Sequence, residues 1–109
     1  MLYFCLILSS TKHTRMLFAN KIKELREGKQ LLQRHVSAAL DMDNAMYCKI
    51  EKGDRRVKRE QIPMIAEILQ ADPEELLILW LSDQVIEVVD KDKEISDEVL
   101  DVAKQKLKE

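Results

Sequence analysis

The chain has 109 residues, 46% hydrophobic and 35% charged, with a formal net charge of −2, which suits one compact domain with short appendages and excludes a wholly disordered chain. Gly and Pro occur only twice each; sheet proteins need frequent turn punctuation, so this scarcity points to an all-α fold. Cys5, Cys48, His13 and His35 have neither a CxxC nor a zinc-ligand spacing, so no metal or other cofactor is expected, and with nothing else marking secretion no disulfide is expected either.

The first fifteen residues read MLYFCLILSSTKHTR. The apolar run at 2–8 is far too short to span a bilayer. No basic residue precedes it and no small-x-small cleavage site follows it, which argues against a signal peptide. Organised helical patterning begins at Met16, so residues 1–15 are read as lying outside the fold, with Met16 as the genuine start and a functional leader as the alternative.

Residues 16–27 place Leu17, Phe18, Ile22 and Leu25 at helical spacing, with charged residues between them. Gly28 is a natural stop. Residues 33–40 form a short second helix with Val36, Ala39 and Leu40 facing inward. The segment 41–43 is a turn, and Asp43 is a good N-cap for a third helix from Asn44 to about Lys52, buried through Tyr47 and Ile50. Gly53 can end that helix in the left-handed conformation. A polar loop follows. The fourth helix covers about 59–69, with Ile62, Ile65, Ala66 and Leu69 on one face and a late start or bend at Pro63. Asp72 and Pro73 open a fifth helix that runs through Trp80 to Val88 or Val89. Ser96 caps a sixth, with acids in its first turn and Lys104, Lys106 and Lys108 in its last, complementing the helix dipole.

Charge is unevenly spread. Residues 21–59 carry eleven Lys/Arg against six Asp/Glu; residues 60–82 carry five acids and no Lys/Arg; residues 83–109 carry five bases against nine acids. A polyanion would meet the middle segment and be repelled by the rest. The pattern of a short helix, a tight turn and a second short helix lets the second lie in a major groove while the first spans the backbone.

KIKELRE at 21–27, LLQ at 31–33, KIEKG at 49–53, and then Glu60, Ile62, Ile65, Ala66 and Leu69 together resemble the phage repressor and Cro-like family of helix-turn-helix regulators, the XRE family. The resemblance spans residues 18–77 and rests on the combined spacing. It implies a lambda-repressor-like bundle of about five helices over 16–72, with the third helix reading DNA; residues 73–109 then supply C-terminal helices for dimerisation. Carried over residue by residue, Gln33 touches backbone phosphate and orients the reading helix, and Asn44 and Ala45 meet the first bases. Lys49 faces the groove, with Met46 and Cys48 close by. Lys52, Arg55, Arg56 and Lys58 meet phosphates. Arg34 stands where the family has a small residue and, with His35, adds positive character. Asp41 replaces the usual turn Gly, and Val57 the usual loop Pro. The family's Glu, here Glu51, commonly fixes a nearby Arg or backbone group.

Residues 76–81 read LLILWL, and Val85, Ile86, Val88 and Val89 continue the apolar pattern. These exceed what one small bundle covers, which marks a partner surface. A two-fold dimer through helix five is expected, using Leu77, Trp80, Leu81, Val85 and Val88, with the sixth helix packed beside it; a larger monomeric core sealed by that helix is the alternative. The functional expectation is a cytoplasmic, non-enzymatic, sequence-specific regulator on a palindromic duplex operator, its length resembling restriction–modification controllers. The competing expectation is an antitoxin-like adaptor without strong DNA binding. No phosphate loop, metal cluster or nucleophile–base pair supports an enzyme.

Overall fold

The computed structural model describes residues 16–109, so the reading of 1–15 lies outside the described residues. Every regular element among them is helical: α1 Leu17–Gly28, α2 Gln33–Ala39, α3 Asn44–Lys52, a 3-10 turn Arg59–Gln61 leading into α4 Ile62–Leu69, α5 Pro73–Val89, a 3-10 segment Asp90–Ile95, and α6 Ser96–Leu107. Pro63 falls in the first turn of α4, where its missing N–H costs nothing, and the preceding 3-10 turn is the expected late start.

The core is drawn from α1 to α5 and the loop after α3: Phe18, Ile22, Val36, Leu40, Tyr47, Ile50, Val57, Ile62, Ile65, Ala66, Leu69 and Leu76. Each fully buried Ile or Leu among them contributes about 1.5–3 kcal/mol. α3 packs against α1 and α2, while α5 crosses α1 and α4. Asp83, buried in α5, ties the first of those crossings: its carboxylate accepts the backbone N–H groups of Leu17 (2.8 Å) and Phe18 (3.0 Å). It thereby satisfies two orphan donors at the N-terminus of α1 and complements the helix dipole.

Helices α1 to α4 all close in the same way. The residue with a left-handed backbone is Gln30 (φ 58°), Asp41 (φ 55°), Gly53 (φ 84°) or Gln70 (φ 54°). Its N–H bonds three residues back, and the next N–H bonds five residues back, as in Gln30 to Glu27 (3.0 Å) with Leu31 to Arg26 (3.1 Å), or Gln70 to Glu67 (3.3 Å) with Ala71 to Ala66 (2.8 Å). This is the Schellman closure, and the residues that follow (Leu31, Met42 and Ala71) pack on the core as that motif favours. Only Gly53 has the residue type the conformation prefers, and there a side chain is doubly barred, since a Cβ would lie 2.6 Å from Met16 Cγ. At the other three positions the left-handed backbone costs about 1–2 kcal/mol. Gln30→Gly should therefore raise stability by roughly 0.5–1 kcal/mol after the extra unfolded-chain entropy is offset, read as a higher urea midpoint at unchanged slope.

Several local expectations need correction. α1 runs one residue further than expected and Gln30, not Gly28, takes the left-handed position. Ala39 is exposed, and the buried side of α2 is instead Val36 and Ser37 with the following Leu40. Asp43 stands at the N-cap of α3 but its side chain makes no capping bond. Ser96 is already inside α6, with Ile95 at the cap, and its Oγ donates to the Lys93 carbonyl because the 3-10 segment feeds straight into the helix. α6 does not lie beside α5: it packs on the 3-10 segment and buries no residue, so it does not seal a larger core either.

Candidate nucleic-acid interface

α3 is divided lengthwise by its own periodicity. Tyr47, Ile50 and Glu51 are buried, and Met46 packs at the edge of the core. Asn44, Ala45, Lys49 and Lys52 are exposed on the opposite arc, with Cys48 half-buried between them. Met46 therefore belongs with the packing side of the helix rather than with its outward face.

The outward face is braced from behind by one buried polar network. Arg26 on α1 donates to both carboxylate oxygens of Glu51, from Nε at 2.7 Å and from Nη2 at 3.1 Å, and its Nη1 donates to the Leu31 carbonyl at 2.7 Å. Gln33 Nε2 donates to the same Glu51 Oε1 at 3.0 Å, and Cys48 Sγ donates to Gln33 Oε1 at 2.9 Å. Three helices thus meet at one carboxylate. Burial alone would raise the Glu51 carboxyl, but the hydrogen bonds from Arg26 and Gln33, with the guanidinium charge, outweigh it and hold the group below its ordinary value. Glu51 in turn raises Arg26. Tyr47 lies in the same interior with its hydroxyl buried and without a hydrogen-bond partner; burial, then the Glu51 carboxylate, push its phenol strongly upward.

Gln33, expected at the backbone, turns its amide inward to Glu51 and Cys48. Arg34 is exposed on α2. His35 is exposed beside Arg34, and its Nδ1 accepts the Leu32 N–H at 3.0 Å. Asn44 lies 3.4 Å from Ser37 Oγ through its Oδ1, which links the first residue of α3 to α2.

The loop at 53–58 continues the basic face. Arg55, Arg56 and Lys58 are exposed while Val57 is buried and anchors them. Trp80 on α5 donates from Nε1 to the Val57 carbonyl at 3.0 Å. Arg56 pairs with Glu87 at 3.2 Å, an exposed contact worth little and readily exchanged. Arg34, Lys49, Lys52, Arg55 and Lys58 have no ion-pair partner among the described residues. Asp41 and Asp43 precede α3, so the positive field is strongest over its C-terminal half and the loop that follows.

Of the residues expected on a partner surface, Leu77 and Trp80 are half-buried against their own core. Leu81, Val85 and Val88 are exposed, and Ile78 joins them. The resemblance implies that Glu51 fixes a nearby Arg or backbone group, and Arg26 is that Arg; the role of Asp83 escapes sequence reasoning, its one signal being a carboxylate set between the apolar runs at 76–81 and 85–86. Among the described residues no cluster of His, Cys, Asp or Glu could hold a metal ion, and no helix is long and apolar enough to cross a membrane. Compared with known proteins, the chain matches no family model, no curated protein and no solved structure.

Proposed function

We propose that the protein is a sequence-specific double-stranded DNA-binding regulator of the XRE-like helix-turn-helix type, cytoplasmic and dimeric, with α2 and α3 as the motif of a lambda-repressor-like bundle. The observation that carries this reading is the outward arc of α3: it bears Asn44, Ala45, Lys49 and Lys52, all exposed among the described residues. An α-helix fits the width of the major groove, where Asn pairs bidentately with adenine, Ala meets a thymine methyl and Lys addresses guanine or phosphate. Arg55 and Lys58, with Arg56 once it exchanges Glu87 for phosphate, fix register on the backbone, and the Arg26–Glu51–Gln33 network holds α3 at a set angle. Two copies joined through the exposed face of α5 would present two reading helices to a palindromic site.

Selection of bound sites from random duplexes, followed by fluorescence anisotropy at two salt concentrations, tests the proposal. A chain that binds no duplex even at low salt overturns it and leaves the adaptor role. On a selected site, Asn44→Ala is expected to cost about 1–3 kcal/mol and to relax choice at one base pair. Its affinity for random duplex should stay the same; equal loss on both would remove Asn44 from base reading.

A further inference from the structure

Two apolar stripes are left uncovered among the described residues, and each has the other's spacing. On α5, Ile78, Leu81 and Val85 run along a shallow trough that Leu17, Ser82 and Ile86 complete, with Ile78 57% and Val85 46% exposed. At the upstream end of the same row, four residues before Ile78, stands the exposed Glu74. On the terminal segment, Ile95, Val99 and Val102 are 49%, 39% and 70% exposed, and the row ends four residues later in Lys106. Glu74, Ile78, Leu81 and Val85 are spaced four, three and four; so are Ile95, Val99, Val102 and Lys106. These are the alternating steps of a helix–helix seam.

Charge selects the direction. Aligned parallel, the rows would set Lys106 on Val85 and Glu74 on Ile95, placing a charge on an aliphatic side chain at both ends. Aligned antiparallel, they set Ile78 on Val102, Leu81 on Val99, Val85 on Ile95, and Glu74 beside Lys106. Lys106 has only an exposed pairing with Glu109 at 3.1 Å to give up. α6 follows the 3-10 segment out of α5 and packs on that segment, so among the described residues of one chain the trough stays open. A second copy brings the same α6, and a two-fold axis lets each copy give one and receive one, closing the assembly.

We infer that the protein dimerises by reciprocal exchange, the α6 of each copy lying antiparallel in the α5 trough of the other. The inference rests on the dimeric part of the proposed function and deepens it: the occupant of the α5 stripe is the partner's terminal helix, not its α5.

The test uses the full chain with Cys5→Ser and Cys48→Ser as background. One preparation carries Ile78→Cys, and a second, differently tagged, carries Val102→Cys. After mixing and mild oxidation, the mixed disulfide-linked pair is expected to dominate over either self-pair, and a chain carrying both cysteines should form a covalent dimer. Ile78–Ile78 self-pairing, a disulfide closed within one chain, or no cross-link would each overturn the exchange. Sedimentation adds a variant with no new thiol: Glu74→Lys should weaken association by about tenfold, as two symmetric pairs are lost, and Lys106→Glu in the same chain should restore it. Failure of that restoration also overturns the register. Duplex binding is read on the chain with its own cysteines. Exchange without duplex binding fails the proposed function alone; duplex binding without the mixed disulfide fails the exchange alone.

Discussion

Glu51→Ala should be the most damaging single substitution outside the apolar core, costing about 3–5 kcal/mol, because it leaves the buried Arg26 guanidinium with only the exposed Glu27, 3.7 Å away, as counter-charge. Equilibrium urea unfolding measures this. Arg26→Met combined with Glu51→Leu should recover much of the loss, since it removes both charges and keeps volume. If Glu51→Ala alone costs under about 1 kcal/mol, the pair is not holding the three helices together.

The same cluster sets a pH window. The Glu51 carboxyl is lower in the folded chain than in the unfolded chain, so its contribution is present above the unfolded value, about 4.3, and is lost as pH falls through the folded one. The Tyr47 phenol is raised on folding, so its contribution is present below about pH 10 and is lost as pH rises beyond it. Stability should therefore fall at both extremes. Tyr47→Phe should flatten the alkaline limb, because it removes the phenol that burial and the neighbouring Glu51 carboxylate push upward.

The second large effect concerns duplex affinity. Replacing Lys52, Arg55 and Lys58 together by Ala should lower the slope of log affinity against log salt by about 2.7, at roughly 0.9 per phosphate released. All three are exposed, and none takes part in an ion pair among the described residues, so folding should be unaffected. At low salt the loss should be similar on selected and random duplexes, in contrast to Asn44→Ala. A triple variant with an unchanged slope would place the phosphate contacts elsewhere.

The helices were legible where their signals are local. Spacing at three and four residues, the Asp72–Pro73 start and Gly53 mark α1, α3, α4 and α5 to within a residue or so. Tyr47, Ile50, Ile62, Ile65, Ala66 and Leu69 were recognisable as core from the same periodicity. What escaped depends on residues far apart in the chain. That Glu51 fixes an Arg follows from the family resemblance, but which Arg does not, since Arg26 stands 25 positions away; Asp83 reaches α1 across 65 to 66. Nothing near Trp80 reveals that its indole is committed to the Val57 carbonyl, which is why it was grouped with the outward apolar residues. Ala39 illustrates a different limit: a periodic pattern says which residues share a face, but not how much of that face its neighbours, here α3 and α4, cover. The course of α6 was not readable either, because an amphipathic helix fits its own chain and another copy equally well by sequence.

The Trp80–Val57 hydrogen bond also has a mechanical meaning. The helix that carries the outward apolar row is fastened directly to the strip of cations that follows α3, and through Asp83 to the start of α1. Under the proposed reading, the apolar row of α5 and the gripping surface form one frame, and the joint lies beyond them, in the 3-10 segment that leads to α6, where Asp92 leaves helical backbone (φ −125°, ψ 53°). Tilting one copy against the other at that joint would then swing each reading rod by the same angle as its frame.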